Sequence, residues 1–170
     1  ANSSLNKVYE TLNRFWTQCW EKSKMNDVAW KLLKEAAVQG DSYAYWADGN
    51  TLNPPQILPN TSVFFADENI DDIQKQEYII VLERWSVEAV KKLAKENGAT
   101  NEELALITGD SQTDTQLLNK TEVSHKVTVL LYMEKDENGI VRTGRATEQV
   151  VVEPLEAKVN KDGYGEIKAN

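Results

Sequence analysis

The chain has one cysteine, Cys19, and one histidine, His125, in 170 residues. A lone cysteine closes no disulfide within the chain, which suits a reducing compartment such as the bacterial cytoplasm. One histidine and one cysteine also exclude, within this chain, histidine-rich zinc sites and Cys–His nucleophilic pairs. No apolar run reaches the length of about 18 residues that a membrane-spanning helix needs. The amino-terminal Ala1-Asn2-Ser3-Ser4 lacks the apolar stretch of a signal peptide and an initiator methionine, and the expectation is a piece cut from a longer chain. Basic residues are in deficit, 19 Lys and Arg against 27 Asp and Glu, for a net charge of −8. That balance argues against a surface that grips nucleic-acid phosphates or docks on an anionic membrane. It is compatible with lining a passage through which a polyanion slides. Phosphate-binding glycine loops, HExxH and the serine nucleophile elbow are also missing.

What is present is ordinary globular material. Hydrophobic residues make up 41% and charged residues 27%, so the chain can build a core and is not disordered as a whole. Leu5, Val8, Leu12, Phe15, Trp16 and Cys19 recur at helical spacing over residues 5–20, and Ala29, Leu32, Leu33, Ala36 and Ala37 do so over 27–39. The spacing predicts two antiparallel helices joined by a short turn at Ser23–Asn26. Asn26 or Asp27 is expected to cap the second helix, and Gly40 to close it. An aromatic strand over 42–47 ends in the turn Asp48-Gly49-Asn50. Asn53–Pro59, with Pro54, Pro55 and Pro59, reads as extended or loop. Strands follow at 62–66 and 78–85, separated by an acidic connection. Ser86 opens a helix that Gly98 stops, and Thr100-Asn101-Glu102-Glu103 fits a capping box for a short helix. Residues 109–122 read as a polar, mobile connection. Alternating Val127, Val129, Leu131 and Met133 predict a strand over 123–134, then 140–146, then 148–153 stopping at Pro154. The expected class is α+β: an N-terminal helical pair with short strands, a central helix and a C-terminal antiparallel meander. One domain is expected over 1–154, with 155–170 a tail or a linker.

Few side chains read as reactive. Cys19 lies on an apolar stripe and reads as a small buried hydrophobe; His125 reads as a surface residue at a strand start. Asp67, Glu68, Asp71 and Asp72 form the densest carboxylate cluster, which could hold a cation or act as acid and base. Its spacing matches no EF-hand or glycosidase pattern, so a solvated acidic loop is expected. No catalytic, cofactor-binding or metal-binding residue is assigned, and no cofactor is expected. Four of the five tryptophans precede residue 50. Trp16 and Trp30 sit beside the stripes as core or interface anchors, whereas Trp20, near the end of the first helix, falls outside the stripe. Trp20, Tyr43, Tyr45, Trp46 and Trp85 are the interface candidates.

The order of segments carries more information than any one of them. Trp20-Glu21 in the first helix leads to a second helix ending Glu35-Ala36-Ala37-Val38-Gln39-Gly40-Asp41-Ser42-Tyr43. Then come Val63-Phe64-Phe65-Ala66-Asp67, Asp72-Ile73-Gln74-Lys75-Gln76-Glu77-Tyr78-Ile79-Ile80 and Arg84-Trp85-Ser86-Val87-Glu88-Ala89-Val90. This series, over residues 5–153, resembles the N-terminal half of a portal protein of tailed bacteriophages and prophages, in the region of its outward-projecting wing. The resemblance implies a structural subunit of the ring at one capsid vertex, through which DNA is packaged and ejected without specific recognition. It implies self-association into that ring and contact with capsid and scaffolding proteins. The packaging motor docks through regions absent from this chain. The setting is the virion, and the host bacterial cytoplasm during assembly. Portal chains are much longer than this one, with stem helices and a clip that are not found here. The rival readings are a stand-alone virion or tail-associated α+β interaction module and, further off, a hydrolase using the 67–72 carboxylates. A wing without stem contacts is expected to sediment as a monomer or weak oligomer, and a stable ring of this chain alone would contradict that.

Overall fold

Apolar residues three and four apart wind the N-terminal segment into helix α1 (Asn2–Lys22), and a second run gives α2 (Met25–Gln39). The computed structural model describes residues 2–46, 53–113, 121–123 and 125–157. Its internal contacts divide it into two units with the boundary between Thr61 and Ser62, inside the span read above as one domain.

In the first unit the link between the helices is only Ser23-Lys24. Ser23 is buried and its N–H donates to the Cys19 carbonyl; Lys24 takes the left-handed conformation, φ 50° and ψ 40°. The turn is therefore tighter than expected, and neither Asn26 nor Asp27 caps α2. Both lie inside its first turn, and Lys24 precedes the helix with no side-chain cap. Asp27 still complements the positive helix end. Gly40 closes α2 as the sequence indicates, at φ 91° with its N–H donating to the Ala36 carbonyl at 2.9 Å. Strand β1 (Tyr43–Tyr45) pairs antiparallel with β2 (Gln56–Leu58), which forms within the proline-rich extended segment. The turn read at 48–50 lies outside the described residues.

The second unit holds the main sheet. Strand β3 (Val63–Phe65), β4 (Tyr78–Ser86), helix α3 (Val87–Glu96), helix α4 (Asn101–Leu106), β5 (Ser111–Thr113), β6 (Thr121–Val123), β7 (Lys126–Lys135), β8 (Val141–Ala146) and β9 (Val151–Ala157) follow in chain order. The five-stranded sheet is antiparallel throughout, in the order β3-β4-β7-β8-β9, and β5 and β6 form a separate pair. The α+β class with a C-terminal strand meander is therefore present. The β4–β7 register sets Val81 opposite Leu131 and Trp85 opposite Val127, on one face. Val127 and Val129 meet Val90 and Ala94 of α3, with Ile107, Val150 and Val152, in the buried core. Helix α3 is capped by Ser86, whose Oγ accepts from the Ala89 N–H, and α4 by the full Thr100–Glu103 capping box.

Two readings of the C-terminal half change. In the connection read as polar and mobile, residues 111–113 pair as a strand with 121–123 at its end, and the long strand read from 123 starts at Lys126. Strand β9 also runs through Pro154 to Ala157 rather than stopping before the proline. Strand β9 is an edge, paired only with β8, so the missing proline N–H breaks no ladder on its open side. Its register with β8 shifts on both sides of Arg145, and Pro154 and Leu155 lie in one of the irregularities opposite Gly144. A β-carbon on Gly144 would stand 3.2 Å from the Glu153 carbonyl oxygen and from Leu155 Cα and N, all backbone atoms. Gly144→Ala is expected to cost about 1–3 kcal/mol of stability by overpacking this bulge, read as a lower urea midpoint. An unchanged midpoint would show that the edge strand yields freely.

Candidate interaction surfaces

The helical hairpin buries little of its apolar surface. Val28 is buried and Leu32, Ala36 and Cys19 are half-buried, but Leu5, Val8, Tyr9, Leu12, Phe15 and Trp16 are all exposed. Cys19 is thus only partly the buried hydrophobe expected. Trp16 and Trp30, read as core or interface anchors, are not core residues: α1 and α2 form a two-helix layer, and neither indole is covered. Trp30 is 71% exposed, more than Trp20 at 47%. The Trp20 Nε1–H donates to Asn26 Oδ1 at 2.9 Å, which fixes the indole across the inter-helix link. Tyr43, Tyr45 and Trp46 are half-buried at the short sheet. The Trp46 indole N–H donates to the Asn53 carbonyl at 2.9 Å. Burial, with Asp41 nearby, raises the Tyr43 phenol pKa, so it stays a neutral hydrogen-bonding group.

In the second unit Trp85 is a packing residue: it lies against the α3 core, and the Arg145 guanidinium sits over its ring at 5.2 Å from the centroid. Arg145 is the centre of a three-strand ion network. Its Nε donates to Glu83 at 3.2 Å on β4, and a second guanidinium nitrogen donates to Glu153 on β9. The side chains of Arg145 and Glu83 are 12% and 10% exposed. Burial acts to lower the arginine's pKa, but the Glu153 and Glu83 carboxylates outweigh it and hold the guanidinium charged. The register explains the meeting: Arg145 is opposite both Leu131 and Glu153, on the same face as Val81 and Glu83. The sequence gives no hint of it, because Glu83 and Arg145 are 62 residues apart. A second link, on the other face, joins Arg84 to Asp110 at 2.8 Å, and Asp110 Oδ2 accepts from Thr128 Oγ1 at 2.7 Å. On that face Tyr78 and Tyr132 stack at 5.5 Å, and Phe64 is exposed.

The acidic segment is organised by its own backbone. Asp67 Oδ1 accepts from both the backbone N–H and the side-chain amide of Asn69 at 2.8 Å, and these bonds hold its pKa below the usual carboxylate range. Asp72 Oδ1 accepts from the Gln74 N–H at 3.0 Å and caps the short 3₁₀ turn Ile73–Lys75. The residue that holds this loop is Gln76, which sequence reasoning did not single out. It is 4% exposed; its Nε2 donates to the Asp67 and Ile70 carbonyls at 2.7 and 2.9 Å, and its Oε1 accepts from the Asp67 N–H at 3.0 Å. Among the described residues no three His, Cys, Asp or Glu side chains gather as a metal site.

Two clefts flank Ile107–Gly109. One, of about 530 Å³, is lined by Leu106, Thr108, Asp110, Thr128 and Glu148; the other, of about 470 Å³, by Ser86, Glu88, Lys91, Thr108 and His125. Two of the polar groups in them serve the fold: Ser86 Oγ caps α3, and Asp110 is held by Arg84 and Thr128. His125 is exposed, as expected, and its carbonyl accepts from the Val87 N–H. Comparison with known protein families and with curated proteins finds no match for this chain.

Arg145→Met is expected to destabilise the second unit by about 3–5 kcal/mol, because Glu83 is left buried without its cation. Adding Glu83→Gln should restore part of the loss. If Arg145→Met alone shifts the denaturation midpoint no more than a surface substitution, the network does not tie the strands together.

Proposed function

We propose that this chain belongs to a ring subunit of a tailed-bacteriophage or prophage portal, in the outward-projecting part of the ring at the capsid vertex. The observation that carries the reading is the ordered series of segments from Trp20-Glu21 to the β-meander. The structure lends it support by giving three of those segments a physical role. Gly40-Asp41-Ser42-Tyr43 is a helix stop at φ 91° feeding an aromatic strand. Phe64-Phe65-Ala66-Asp67 ends β3 and opens the acidic loop. Gln76, ahead of Tyr78-Ile79-Ile80, closes that loop with three hydrogen bonds at the start of β4.

In this reading the chain acts through surfaces and is not an enzyme. Asp67 and Asp72 serve their own loop, and Glu83 and Glu153 share one arginine. The partners are neighbouring subunits, the capsid and scaffolding proteins and, through other parts of the subunit, the packaging motor. DNA passes without sequence recognition, and a net charge of −8 suits a body that does not hold phosphates. No helix among the described residues is long and apolar enough to cross a membrane. The site of action is the virion, and the host bacterial cytoplasm during assembly.

The test is electron microscopy of the product of the parent open reading frame. Closed rings with an axial channel are expected, with long helical segments encoded after Asn170. A stop codon directly after Asn170, or a parent product that forms no ring, would refute the proposal.

A further inference from the structure

Helix α1 and helix α2 each carry an apolar stripe that the first unit leaves open. On α1 it consists of Leu5, Val8, Tyr9, Leu12, Phe15 and Trp16, each about half exposed or more. At 100° per residue these fall within one sector, and no charged residue shares it; Lys7 and Arg14 lie on the opposite side. Helix α2 has a sheltered side of Val28, Leu32 and Ala36. Away from it lies a second stripe of Trp30, Leu33 and Ala37, all exposed and again without a charge in the sector.

These two stripes are different in sequence, shape and size. A pair that set either stripe against its own copy would leave the other stripe bare, whereas α1 against α2 covers both, and repeated head to tail it propagates into a ring or a filament. We infer that the α1 stripe of one copy of this chain seats on the Trp30–Leu33–Ala37 stripe of α2 in the next copy, forming a head-to-tail belt of helices. This rests on the ring reading above and assigns the surface by which neighbours join.

Size favours a second copy as the occupant. Helix α1 is about 31 Å long and α2 about 22 Å, so the shorter stripe fits within the longer. Aromatic side chains present roughly 150–250 Å² each. At the observed exposures the α1 stripe offers on the order of 600 Å² and the α2 stripe about half of that. The smaller stripe limits the contact to about 300 Å² on each side, or about 600 Å² in total, below the roughly 1,000 Å² of a specific interface. One contact is then weak, and closure of a ring reinforces it. A membrane surface fits less well: interfacial helices carry a polar face rich in Lys and Arg, whereas on α1 Lys7 and Arg14 share that face with Glu10 and Glu21, in a chain of net charge −8.

Sedimentation velocity over a concentration series tests this with the 170-residue chain, Leu12→Glu and Trp30→Glu. Both substitutions fall at exposed helix positions, and circular dichroism verifies the fold; Leu5→Glu on the same stripe replaces Leu12→Glu if helix is lost. The wild-type chain is expected to self-associate weakly, and each variant alone to do so at least about tenfold more weakly. An equimolar mixture of the two variants should form one-to-one pairs and nothing larger, because each supplies the stripe the other lacks. A monomeric wild type, a Trp30→Glu variant that associates like wild type, or a mixture that stays monomeric would overturn the inference. So would binding of the wild-type chain to phosphatidylserine vesicles that Leu12→Glu abolishes. Normal rings from a parent chain carrying Trp30→Glu would sink the surface assignment alone, whereas a wild-type parent that forms no ring sinks the portal reading itself.

Discussion

The nine-residue antiparallel ladder between β4 and β7 is the constraint on which the second unit depends. Its period-two register puts Val81, Val127, Val129 and Leu131 on one face, and all four are buried. A slip of one residue would turn that row to the other face and leave Val90 and Ala94 of α3 without a surface. The same register brings Glu83 to Arg145, and through it to Glu153 on the far strand, so one arginine ties β4, β8 and the edge strand β9 together. Buried charge of this kind adds less to net stability than to the choice of one strand arrangement, since any other pairing strands a carboxylate without its cation.

The first unit has no equivalent. Two helices joined by a two-residue link can cover one side of each other, and α1 and α2 carry more apolar surface than one such contact buries. A layer of this sort is completed by another layer. The sheet unit encloses a buried core and the helical layer is open, and this contrast supports the assembly reading. It also agrees with the local use of the polar groups: carboxylates close turns, cap a 3₁₀ helix or neutralise a guanidinium, and Gln76 spends its amide on the loop that Asp67 opens.

Much of the fold was legible where the signal is local. Gly40 after an apolar run, the Thr100–Glu103 box and the alternation from Val127 to Met133 each state their structure within a few residues. The errors fall where partners are distant or the backbone is unusual. Pro154 stops a central strand, but a linear reading does not reveal that β9 is an edge. A lysine in the left-handed region, as at Lys24, is uncommon, and the polar Asn26 and Asp27 just after it are the stronger cap signal in the sequence. The pairing of 111–113 with 121–123 is too short and too polar to show as periodicity. For the surfaces, periodicity tells which side of a helix is apolar and not whether anything covers it. The spacing therefore reads Trp16 and Trp30 as anchors and does not mark Trp30 as the more exposed indole. Glu83, Arg145 and Glu153 were invisible as a group because only the sheet register brings them together.

In the proposed reading, copies of the chain join through two unlike helical faces. Photo-crosslinking tests it most directly. A benzophenone side chain at position 30, on α2, would be activated in a mixture of isotopically light and heavy copies, and the adducts mapped by mass spectrometry. The account expects light-to-heavy adducts on α1, between Leu5 and Trp16. Adducts from position 30 to α2 of the other copy, or adducts confined to single copies, would contradict it.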